Sequence, residues 1–115
     1  MAADKQIIIN TLNWVKSEGS AAVFTIGDQY VQTASILPAE MYCEAVSHHY
    51  HSLIDIHLES SFIKMGFSLA EGGNYNRKYY TGDEFSIEKF AEDIMKIFGE
   101  IYRSDINLPF EVTEL

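Results

Sequence analysis

The last third of the chain constrains the fold most. There Phe90, Ala91, Ile94, Met95, Ile97, Phe98, Ile101 and Tyr102 alternate with Glu88, Lys89, Glu92, Asp93, Lys96, Glu100 and Arg103. At about 100° per residue this pattern is an amphipathic helix with an apolar arc of roughly 160°, wider than the ~100° stripe one core-facing helix needs. Two outcomes fit the excess. Either the helix is sunk deep in its own core, or part of the arc faces a partner.

The other elements follow from periodicity and punctuation. Ile8, Leu12 and Val15 fall at i, i+4 and i+7 with Gly19 as a stop, so a first helix is expected from Asp4 to Ser17. Ala21 to Ile26 and Gln29 to Ile36 read as strands around a Gly27-Asp28 turn, in which glycine supplies positive φ. A third strand is expected from Met41 to about Ser47, after the Pro38-Ala39-Glu40 connection. Leu58, Phe62 and Met65 return to helical spacing between Leu53 and Met65, ending at Gly66. Phe67 to Ala70 and Asn74 to Tyr80 then form two more strands around Glu71-Gly72-Gly73. Thr81-Gly82-Asp83-Glu84 leads into the last helix, where early acidic residues suit the positive end of the dipole. Asp105 to Leu115 reads as an extended tail. The expectation is therefore one α+β domain over residues 1–115, with an antiparallel sheet of about five strands.

Charge and cysteine content narrow the function. Seventeen acidic against eight basic residues give a net charge of −9, which repels phosphate backbones and anionic membranes. The one adjacent basic pair, Arg77-Lys78, sits among Tyr75, Tyr79 and Tyr80 without the positive surroundings a base-stacking platform requires. Neither nucleic acid nor membrane is an expected partner. A lone Cys43 permits no intrachain disulfide and fits a reducing cytoplasm, and Ile7-Ile8-Ile9 is far too short for a signal core or a membrane span.

Candidate chemistry is sparse. His48, His49, His51 and His57 cluster near Cys43, Asp55 and Glu59, but no metal-ligand spacing matches, so neither metal nor cofactor is expected. Cys43 lacks the electropositive neighbours that activate a thiol, and reads as a small buried residue. Glu92-Asp93 and Asp83-Glu84 fall where solvation explains paired carboxylates, and Gly72-Gly73 is too short for a phosphate loop. No catalytic residue is assigned.

Taken in order, Tyr30-Val31-Gln32, Glu44-Ala45-Val46-Ser47, a helix ending in Met65-Gly66-Phe67, Asn74-Tyr75-Asn76-Arg77 and a long final helix resemble the YbjN-like group of small bacterial domains. These are similar in fold to the type III secretion chaperones and are grouped with them as peptide-binding chaperone-like proteins. The likeness covers roughly residues 21 to 110, and the histidines from His48 to His51 and the late Pro109 depart from it. It implies an α-β-β-β-α-β-β-α domain with helices on one sheet face, often a homodimer, that docks a protein or peptide client without catalysis. Tyr30, Tyr42, Tyr75 and Tyr79 would line a sheet or groove for an extended peptide, because tyrosine buries area while keeping a hydroxyl available, and Met95, Phe98 and Tyr102 would supply a subunit or client face. Two rival readings remain: a small acidic inhibitor of antidote type, acting on a basic toxin by charge complementarity, and a histidine-cluster metal protein.

Overall fold

The computed structural model describes residues 3–37, 40–47, 54–81 and 84–115. The order is α1 (Lys5–Glu18), β1 (Ala21–Ile26), β2 (Gln29–Leu37), β3 (Glu40–Ala45), α2 (Ser60–Lys64), β4 (Ser68–Leu69), β5 (Tyr75–Tyr80), α3 (Glu84–Lys96), a π-helical turn (Ile97–Ile101) and β6 (Phe110–Glu114). The strands make one six-stranded sheet in the order β4-β5-β3-β2-β1-β6, and every neighbouring pair is antiparallel.

Local chemistry sets the boundaries. Helix α1 begins because the Asp4 carboxylate accepts from the Gln6 and Ile7 amides at 2.9 and 3.1 Å, and it stops at Gly19, whose φ of 61° is left-handed. Its Ile8, Leu12 and Val15 are fully buried. The β1–β2 hairpin closes at Ile26 opposite Gln29, with Gly27 at φ +62°. A Cβ on Gly27 would also lie 3.0 Å from Leu108 Cδ1, the tip of a side chain with room to shift, so it is the positive φ rather than space that calls for glycine there.

Residues directly opposite in antiparallel strands share a face. Ala22, Phe24 and Ile26, Val31 and Thr33, Met41, Cys43 and Ala45, and Tyr75 and Tyr79 are the buried set, covered by the helices. Above the sheet a run of ring contacts links Phe90, Tyr79, Phe67, Phe62, Tyr102, Phe98, Phe110 and Phe24, with neighbouring centroids 3.9 to 6.4 Å apart. This run joins both ends of the sheet into one core.

Two features differ from the sequence expectation, and a third decides between the two outcomes open for the last helix. The sheet has six strands rather than five, because residues 110–114 return to pair with β1 instead of trailing as a tail. The second helix is only Ser60–Lys64, preceded by turns. The wide arc of the last helix is consumed internally: Phe90, Ala91, Ile94, Ile97, Phe98, Ile101 and Tyr102 are all buried. The helix ends in a π turn, closed by the Tyr102 amide on the Ile97 carbonyl at 2.8 Å, and Ile97, Phe98, Ile101 and Tyr102 are all buried along it.

Candidate partner-binding surface

Among the described residues no helix or strand lies over the sheet face opposite the helices. Register places Val23 and Thr25 of β1, Tyr30, Gln32 and Ala34 of β2, Glu40, Tyr42 and Glu44 of β3, and Asn76, Lys78 and Tyr80 of β5 on this side. Most are half-buried by their neighbours alone, while Tyr80 is 73% exposed. Tyr42 stands opposite Ala34 on one side and Lys78 on the other, and Lys78 reaches Glu40 at 3.5 Å. Partial burial, then the nearby Glu44 charge, raises the Tyr42 phenol above its ordinary value. The Tyr30 hydroxyl accepts from Asn74 Nδ2 at 3.1 Å, and the Asn74 Oδ1 in turn accepts the Ser47 amide at 3.1 Å. The face is thus a fixed, mixed surface of aromatic, small and acidic side chains.

The residues grouped from sequence do not share it. Tyr30 and Tyr42 lie on the open face, whereas Tyr75 and Tyr79 point under the helices and are 8% and 4% exposed. The reason is register: strand neighbours two apart share a face, but which face is set by pairing across strands, and β3–β5 pairing places Tyr75 opposite Ala45 and Tyr79 opposite Met41. Phe98 and Tyr102, at 2% and 4% exposed, belong to the chain's own core. The Tyr102 hydroxyl donates to the Val46 carbonyl at 2.7 Å, which ties the end of β3 to the π turn. Met95 is half-buried and lines a small apolar cleft of about 100 Å³ with Ala3, Ile26, Phe98 and Ile106.

The buried ionisable groups form a structural tie between β5 and α3. Asp93, 2% exposed, accepts from the Tyr79 hydroxyl at 2.7 Å and from Lys89 Nζ at 2.9 Å, with the Arg77 guanidinium 3.5 Å away. Arg77 also lies 4.3 Å above the Tyr79 ring and donates to the Met65 carbonyl. Burial, above all, pushes the Tyr79 phenol far up. It does the same to the Cys43 thiol, with the Asp93 charge adding to the effect, so the sulfur is protonated at neutral pH and is a packing group rather than a nucleophile.

His48, His49 and His51 fall outside the described residues. His57 lies exposed in the turn before α2, its amide donating to Asp55 Oδ1 at 2.8 Å. Among the described residues no group of three His, Cys, Asp or Glu side chains is placed to hold a metal ion, and no helix is long and apolar enough to cross a membrane.

Sequence reasoning missed the β6 edge of the sheet. Its signal was present, because Phe110 and Val112 alternate with Glu111 and Thr113 at the period of a strand with one buried side. No protein-family model matches the chain, and no curated protein or solved structure matches it either.

Proposed function

We propose that this chain is a cytoplasmic, non-enzymatic domain that binds a protein or peptide, built on the type III secretion chaperone-like, YbjN-like plan and acting as a homodimer. The observation that carries the reading is the open sheet face: among the described residues, six antiparallel strands hold helices on one side only and leave Val23, Tyr30, Tyr42 and Tyr80 on the other. Rigid tyrosines on a sheet supply contact area at low entropic cost, and a net charge of −9 favours clients that are basic or amphipathic. The element order, a helix, three strands, a short helix, two strands and a long helix, agrees with the plan expected from the resemblance and adds β6 to it.

A photo-crosslinking side chain at position 42 tests the reading in cells of the source organism, with one at Asn13, exposed on α1, as control. Position 42 is expected to yield discrete protein adducts that position 13 does not. Equal yields from both positions, or none from position 42, overturn it. Light scattering on the purified chain at two concentrations tests the dimer separately.

A further inference from the structure

Among the described residues nothing pairs with the outer edge of β6, and the pairing with β1 gives the direction of its backbone groups. In an antiparallel pair, residues alternate between those that exchange hydrogen bonds and those that do not. Leu115 donates to the Ala21 carbonyl at 2.9 Å, which fixes the odd-numbered residues of β1 as the ones bonded to β6. The other side agrees, because the Ser35 amide donates to the Ser20 carbonyl at 2.9 Å and so turns the even-numbered residues of β1 toward β2. Glu111 and Thr113 therefore bond inward to Thr25 and Val23, while the amides and carbonyls of Phe110, Val112 and Glu114 point away from the sheet.

Strand β6 lacks the lysine, proline or bulge with which edge strands discourage pairing. Its side chains are also selective. Phe110 and Val112 lie on the helix side, at the margin of the core, and Glu111 and Glu114 are exposed. No Lys or Arg occurs from residue 104 to 115, and Asp105 and Asp28 line the cleft next to Leu108, just before the strand, with Arg103 as its one basic lining residue.

We propose that the β6 edge receives an extended basic segment of a partner protein as a seventh, antiparallel strand. This rests on the protein-binding reading above and names the partner's chemistry. The partner offers its own backbone to Phe110, Val112 and Glu114, places apolar side chains beside Phe110 and Val112, and sets Lys or Arg opposite Glu111 and Glu114. Its outward residues continue the open face that carries Tyr42. A second copy of β6 fits less well, since pairing centred on Val112 brings two Glu111 side chains to the diagonal spacing of about 7–8 Å and joins two chains of the same negative sign.

The probe is the blocked peptide Lys-Thr-Val-Lys-Val, written in the order that opposes Glu114 to Phe110, with Glu-Thr-Val-Glu-Val as control. Amide hydrogen exchange is read residue by residue on the full chain at millimolar peptide. The Lys peptide is expected to slow exchange at Phe110, Val112 and Glu114 by about tenfold or more and to leave Glu111 and Thr113 as they were, already protected by β1. The control peptide should do nothing. Unchanged exchange at those three amides, or equal protection by the acidic peptide, overturns the proposal. Protection that rises with protein concentration before any peptide is added assigns the edge to a second copy and overturns it too. In Val112→Pro the lost amide is one that points outward, so the fold is expected to stand while peptide protection disappears, and persistence of protection there is also fatal. Should that variant fail to fold, the wild-type measurement decides alone. Position 42 adducts that persist when the edge amides are silent leave the binding reading intact and sink only the edge.

Discussion

On the helix-covered face of the sheet Phe24, Val31, Cys43 and Tyr79 lose nearly all contact with water, whereas on the opposite face Val23, Gln32, Tyr42 and Lys78, drawn from the same strands, keep part or much of theirs. The difference follows from a period of two in side-chain direction and a single helical layer. The covered face holds its residues by packing, so a change there is felt as stability. The open face is held by backbone pairing and makes few demands on its side chains, so its composition is free to answer to a partner.

The largest expected effect that sharpens this contrast is on the covered face. Phe62 is fully buried and packs on Tyr75 at 4.5 Å, Phe67 at 5.4 Å and Tyr102 at 6.2 Å. Phe62→Ala is expected to lower unfolding free energy by about 3–5 kcal/mol, through lost transfer energy and the cavity left behind. Urea unfolding reads it, and a loss under about 1 kcal/mol would mean that this end of the core is not packed as described.

The second effect is alkaline. Burial raises the acid–base groups of Cys43, Tyr79 and Tyr102, so the folded chain holds these protons more tightly than the unfolded one. The stability they contribute is complete below their ordinary values near 9 and 10 and declines as pH rises past them. By pH 10 the decline should reach about 2 kcal/mol, most of it from Cys43, since its ordinary value is the lowest of the three. Melts between pH 7 and 10 measure it, and Cys43→Ala should flatten the slope above pH 9. An unchanged slope in that variant would remove the thiol from the account.

A smaller effect has the opposite sign. Thr33 is fully buried opposite Cys43, and its hydroxyl has no hydrogen-bond partner among the described residues. Thr33→Val keeps the branched shape that suits a strand and removes the uncompensated polar group, so a gain of about 1 kcal/mol is expected. A loss on urea unfolding would show that the hydroxyl finds a partner in solution.

Much of this contrast was legible in the sequence, and the remainder was hidden for definite reasons. Helix α1 carried its own cap and stop in Asp4 and Gly19, and the Gly27-Asp28 turn set the β1–β2 register directly. For the last helix, the apolar arc was visible, but whether it faced core or partner was decided by tertiary packing, and Gly99, inside the run from Ile97 to Tyr102, is the one local mark of the stretch that closes as a π turn. The sides of Tyr75 and Tyr79 depended on β3–β5 pairing, whose partners are 30 to 40 residues apart in sequence, beyond the reach of a local turn. Strand β6 was overlooked because it is only five residues long, follows Pro109 and has just Phe110 and Val112 as apolar positions, although their alternation was present. Of the surface residues expected to bind, only Tyr30 and Tyr42 reach the open face, and they do so because the hairpin register sends Val31 inward.

The smallest stability effect is the most informative about function. Tyr42→Thr removes the central ring of the open face, puts a β-branched residue suited to a strand in its place, and touches no helix. Its expected cost in unfolding free energy is within about 0.5 kcal/mol, the ordinary range for a surface change. Capture of the partner by a crosslinker at position 23, on the same face two strands away, should nevertheless fall sharply, because a ring that fills contact area at the middle of an interface carries a large share of its energy. Stability and capture are thus expected to move apart at Tyr42 and together at Phe62. If Tyr42→Thr destabilised the fold as Phe62→Ala does, the ring would be part of the scaffold, and the division of labour between the two faces would be wrong. If capture survived unchanged, the open face would still be solvent-facing but the partner would engage elsewhere.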